Sequence, residues 1–185
     1  ALAPAMAEID PALICDPRVG KSISRIWRDT RRGPDLPIYR DVMWCIFLRE
    51  KYAALPGFWF EFSPRALRWG CGWYQTPPEV MDAARTLIRE NGPAWQKAKK
   101  AALARPDFAL EDTRYKRTRH PDAPEYERAW LDQRSLCLTH EEGGIDALFA
   151  PGLAQQVSDG FRAMSPVYDL FISAWSRVPR ERLQR

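Results

Sequence analysis

Residues 42–74 read VMWCIFLREKYAALPGFWFEFSPRALRWGCGWY. Three apolar, aromatic-rich stretches lie within them: Val42–Leu48, Phe58–Phe62 and Leu67–Tyr74. Each has the length of a strand, and Pro56-Gly57 and Ser63-Pro64 separate them. Connections this short join antiparallel neighbours, so the stretch predicts a meander. In the second, Phe58, Phe60 and Phe62 alternate with Trp59 and Glu61. In the third, Leu67, Trp69, Cys71 and Trp73 share one face, while Arg68, Gly70, Gly72 and Tyr74 share the other. The glycines leave room on that second face for a ligand or for a neighbouring aromatic ring.

Upstream, Ile23–Thr30 reads as a further strand running into a Gly33-Pro34-Asp35 turn. Downstream the period changes. Thr76-Pro77-Pro78-Glu79 has Thr at N-cap, Pro at N1 and Glu at N3, the chemistry of a capping box. Val80, Ala83, Ala84, Leu87 and Ile88 then form an apolar stripe that Asn91-Gly92 ends. A second helix is expected from Pro93 to just before Arg105-Pro106, and a short one around Pro124–Asp132. A strand is expected at Ser135–Thr139, and Ser165-Pro166 is read as restarting a C-terminal helix with Val167, Leu170, Phe171 and Ala174 facing inward. The fold class is therefore α+β: one domain over 1–185, an antiparallel meander sheet of four to five strands, and helices packed on it mainly from the C-terminal half.

With 45% apolar and 12% aromatic residues the chain can bury a sizeable core. Its net charge is +4, unevenly spread. Residues 21–41 carry six Lys/Arg against three acids, 95–119 carry eight against three, and 123–159 carry two against seven. Cys15, Cys45, Cys71 and Cys137 lie far apart, with no CxxC pair, and there are two histidines. This is neither a zinc site nor a secreted disulfide scaffold, and it fits reduced thiols in a cytoplasmic protein. No run approaches the ~18 apolar residues of a membrane span, so no membrane partner is expected. Ala1 to Met6 reads as the tail of a helix that begins upstream, and a chain carrying that segment is expected to be the more stable.

Val19-Gly20-Lys21-Ser22 superficially ends a phosphate-binding loop, but Cys15 stands where the first glycine is required and no apolar strand precedes it. His120 and His140 are read as surface histidines, and Arg114–Arg119 with Lys97, Lys99 and Lys100 as a solvated basic surface. The densest chemistry is at Arg25, Arg28, Asp29 and Arg31. On a strand Arg25, Trp27, Asp29 and Arg31 share a side, so Asp29 could hold two guanidiniums. That arrangement is either an anion-binding platform or a structural ion-pair network.

The order Arg25-x-x-Arg28-Asp29-x-Arg31, then Asp35 and Tyr39, resembles the signature of the bacterial family named domain of unknown function 2461. Gly70-x-Gly72-x-Tyr74 followed by Pro-Pro-Glu, Tyr115-Lys116-Arg117 before His120-Pro121, and the closing helix match as well. Arg32 stands where the family has Phe, and Leu36 where it has Lys. The resemblance implies a further N-terminal helical segment, and it brings no activity.

Two functions follow from these readings. In one, the domain binds an anionic or phosphate-bearing small ligand through Arg25, Arg28, Asp29, Arg31, Tyr39, Arg68 and Tyr74, as an enzyme or not. In the other, it is a non-catalytic module meeting nucleic acid or an acidic protein through its basic surface. Nucleic-acid binding would then be weak and independent of sequence. No acid/base pair stands out, so no catalytic residue, metal or cofactor is assigned, and the oligomeric state stays open.

Overall fold

In the computed structural model, which describes residues 1–29, 31, 33, 35, 37–50 and 53–183, alternation decides which side chains reach the core. The strands are β1 (Met43–Phe47), β2 (Gly57–Phe62), β3 (Ala66–Gly72), β4 (Ala109–Leu110) and β5 (Cys137–Gly143). They form one antiparallel sheet in the order β1-β2-β3-β5-β4. The first three make the expected meander, and β5 returns to the free edge of β3 after a long helical excursion. That excursion carries α2 (Pro78–Glu90), α3 (Pro93–Ala104) and α4 (Glu125–Leu131). A short α1 (Ala3–Ile9) opens the chain, and α5 (Leu153–Ser176) and α6 (Arg180–Leu183) close it.

The helices cover one face of the sheet. Leu67, Trp69 and Cys71 of β3 are fully buried there, and α5 lies over them. Phe58 meets Phe161 and Tyr168 of α5 at 5.0 Å between ring centroids, and Trp73 meets Phe171 at 5.0 Å. α1, α2 and α3 in turn pack on α5. The opposite face is more open. There the Trp59 indole covers Gly70: a Cβ on Gly70 would meet the Leu138 carbonyl and lie 2.9 Å from the ring. A neighbouring aromatic, then, occupies the space beside that glycine.

Four local expectations are revised. Ile23–Thr30 is not a continuous strand: single bridges join Ile23 to Cys45 and Trp27 to Tyr39, and Thr30 lies outside the described residues. The last strand starts two residues later than Ser135, because the Ser135 backbone N–H and carbonyl bond the Thr113 hydroxyl instead of entering the ladder. Thr76 does not cap α2; Pro77 holds the N-cap position. The Thr76 hydroxyl instead accepts from the Leu136 backbone N–H (3.0 Å) and shares a bond with Ser135 (2.9 Å). The hydroxyl thereby satisfies the buried Leu136 N–H at the entry to β5. Finally, Pro166 does not restart a helix but lies inside α5. It removes the bond to the Arg162 carbonyl, but the buried stripe of Val157, Phe161, Met164, Val167, Leu170 and Phe171 continues on both sides.

A buried polar contact ties the N-terminus to this core. Asp10 accepts from Tyr168 Oη and Arg49 Nε, both at 2.6 Å, and from the Ala12 backbone. Burial alone would raise the Asp10 carboxyl, but these bonds outweigh it and hold the group below its ordinary value. Burial pushes the Tyr168 phenol up, so it stays a donor. A depressed carboxyl gives stability that is fully present above its unfolded value and is lost as the pH falls through the folded one. Tyr168→Phe should therefore cost about 1.5–3 kcal/mol at neutral pH and flatten the loss of stability below about pH 4. Urea titrations at several pH values measure both. On the open face, Gly70→Ala should destabilise by about 1–3 kcal/mol in the same assay, because the new methyl must displace the Leu138 carbonyl as well as Trp59.

Candidate functional site

Two of the three guanidiniums of the sequence cluster are held by nearby carboxylates, on an exposed hairpin. Arg31 donates to Asp29 at 2.8 Å through an ion pair open to solvent. Arg28 pairs with Asp41 at 2.8 Å. Arg25 lies against Gly20, and Tyr39 packs on Trp27 with ring centroids 4.9 Å apart. Arg68 belongs elsewhere, on the open sheet face: it meets Glu111 at 2.9 Å, Glu141 at 3.2 Å and Glu61 at 3.4 Å, and sits 5.5 Å over Trp59. Three carboxylates around one cation leave little attraction for an anion. Arg32 and Leu36, the departures from the family signature, lie outside the described residues.

Tyr74 lies in different surroundings. It is fully exposed at the mouth of a cavity of about 670 Å³, with Thr76, Arg85, Tyr115, Arg119 and Arg134 among its walls. None of Arg25, Arg28, Asp29, Arg31 or Tyr39 lines it. Four segments build it: the β3–α2 turn, the first half of α2, residues 111–120 and the α4–β5 connection.

Each arginine is positioned differently. Arg85 is anchored by the Leu131 carbonyl (3.0 Å), the Gln133 carbonyl (2.8 Å) and Asp82 (2.7 Å). Arg134 donates Nε to the Thr113 carbonyl at 2.8 Å and forms part of the cavity wall. The Arg119 guanidinium lies 3.6 Å over the Tyr115 ring, and no carboxylate among the described residues pairs with it. Its backbone is pinned by Asp132, which accepts from the Arg119 N–H at 2.9 Å. Thr113 supports the wall through Gln133 and the Ser135 backbone. The cavity thus carries three guanidiniums against one carboxylate, Asp82, whose side chain is 77% exposed.

Two smaller hollows of about 300 and 470 Å³ share Arg119 and add Arg89 and His120. Arg89 approaches His120 Nδ1 at 2.7 Å. Burial first, and the Arg89 charge second, hold the His120 imidazole below its ordinary value. A neutral ring can accept from Arg89, which fixes the side chain's orientation. His140 lies elsewhere, stacked on Trp69 at 4.2 Å and 3.1 Å from Asp107. Arg105 lowers the Asp107 carboxyl to about 2.

The cavity was read from the sequence only at Tyr74. Arg119 was placed in a solvated surface, and Arg85 and Arg134 were not singled out, because they come from segments far apart along the chain. Among the described residues no group of three or more His, Cys, Asp and Glu is placed to hold a metal, and no helix is long and apolar enough to cross a membrane.

Compared with known families, the chain matches the one described as a conserved hypothetical protein (DUF2461) over residues 1–170. No curated protein and no solved structure matches it. The exposure of the Asp29–Arg31 pair has a direct consequence. Asp29→Asn should leave the thermal midpoint close to that of the wild type, because water screens the charge it removes. Differential scanning calorimetry of the two proteins checks this, and a large drop would mean that Asp29 anchors the fold.

Proposed function

The chain belongs to the DUF2461 family, whose name supplies no activity, and from the geometry of its cavity we propose that it binds an anionic small ligand carrying phosphate or carboxylate groups. The carrying observation is Arg119, held over the Tyr115 ring with no carboxylate among the described residues paired to it, and lining a cavity shared with Arg85 and Arg134. A guanidinium presents a planar fork that matches phosphate or carboxylate oxygens. One that is already positioned loses little freedom on binding. Thr76, Thr113 and Ser135 spend their hydroxyls on the scaffold, so specificity falls to the arginines and to Tyr74. A concave, arginine-lined wall favours a small ligand over an extended acidic polymer.

The test is calorimetric titration and thermal shift with inorganic phosphate, nucleoside phosphates and polycarboxylates. At least one of these should stabilise the wild type. Arg119→Ala should weaken that binding roughly tenfold or more, with Arg119→Lys between the two. Arg31→Ala separates this cavity from the hairpin cluster: an affinity that falls there and not at Arg119 moves the ligand to Arg25, Arg28, Asp29 and Arg31. Failure of every anion to bind overturns the proposal.

A further inference from the structure

Apart from the cavity, the most unusual surface is the hairpin that precedes β1. Arg28 donates its N–H to the Ile38 carbonyl and Arg40 to the Ile26 carbonyl, both at 2.8 Å, which brackets the Trp27–Tyr39 pair. Between strands this is the closer type of pair, so the two rings lie on one side and Ile26 and Ile38 on the other. All four side chains are between 49% and 58% exposed. An isolated two-stranded ribbon is marginal in water, and exposing apolar groups on both faces makes it more so. Arg25 and Arg40 carry no paired carboxylate among the described residues, which leaves the arm basic.

The chain also carries a matching surface. A 3₁₀ turn, Ile145–Phe149, follows β5; Phe149 is 78% exposed, and Asp146 in the same turn and Glu142 just before it are acidic. Register places arm and turn at the same end of the sheet. Met43 at the root of the arm pairs with Phe62, Phe62 with Leu67, and Leu67 with Glu142 just before the turn. Three strand spacings, roughly 14 Å, separate them. The arm's own molecule leaves Phe149 uncovered.

We propose that two copies of this chain form a twofold dimer in which each basic, aromatic arm lies on the partner's acidic Phe149 turn. The charges decide between this and simpler pairings. Arm against arm would oppose like charges, whereas arm against turn brings Arg25, on the same side as the two rings, towards Asp146 and Glu142. A twofold axis between two patches at one end of the sheet makes both contacts at once and closes the assembly. This inference is independent of the ligand proposed above.

Sedimentation velocity of the 185-residue chain over a range of concentrations tests it. The wild type should show a concentration-dependent dimer that weakens with salt. Trp27→Asp and Phe149→Asp should each weaken association at least tenfold with unchanged far-ultraviolet circular dichroism. An equimolar mixture of the two variants should regain heterodimer, because the intact arm of one meets the intact turn of the other. A wild type that stays monomeric, a variant that still dimerises fully, or a mixture that stays monomeric overturns the proposal. If instead the monomer binds a single-stranded oligonucleotide with quenching of Trp27, the arm serves nucleic acid and the dimer is likewise overturned.

Discussion

The fold depends on how closely α5 approaches β3, and one pair of residues sets that distance. Trp69 is completely buried at the centre of the sheet, and Gly160 of α5 lies against its indole. A Cβ at Gly160 would stand 3.0 Å from Trp69 Nε1 and 3.1 Å from the Phe108 ring. Even an alanine there would make the indole or the Phe108 ring give way by a few tenths of an ångström. Because α1, α2 and α3 rest on α5, their positions follow from that contact. Among the described residues the indole N–H meets no acceptor. The ring area buried against Phe60 and His140 offsets that missing bond.

Much of the sheet was legible in the sequence because its signal is local. Alternation over Phe58–Phe62 and Leu67–Trp73 marks the core face, and Pro-Gly punctuation gives the meander. The α2 stripe and its left-handed end at Asn91 were equally plain. The misreadings have a common cause, in that tertiary partners outweighed local preference. Thr76 has the chemistry of a cap, but Ser135 and Leu136, some sixty positions away, use its hydroxyl. Pro166 breaks one hydrogen bond in α5, yet the buried residues on either side keep the helix whole.

The candidate site was less legible for a related reason. Arg25, Arg28 and Arg31 attract notice because they are crowded, and crowding brings carboxylates near them; Asp41 pairs with Arg28 and Asp29 with Arg31. Arg85, Arg119 and Arg134 are unremarkable singly in the chain and converge only once α2, the 111–120 segment and the α4–β5 connection are assembled. Uncompensated charge is a property of the fold here, and no window of sequence contains it.

The strand order has a consequence for the biosynthesis of the chain. β3 pairs with β2 across a three-residue connection but with β5 only after the whole of α2, α3 and α4. Closing so long a loop is slow compared with forming the local meander. During translation, the second edge of β3 therefore stays unpaired until Gly143 has left the ribosome, and Trp69 stays uncovered until α5 follows. For that interval an aromatic, hydrogen-bond-hungry edge faces the cell, the kind of surface that chaperones engage. The mature fold buries its most adhesive strand at the centre of the sheet, and the nascent chain has to present it first.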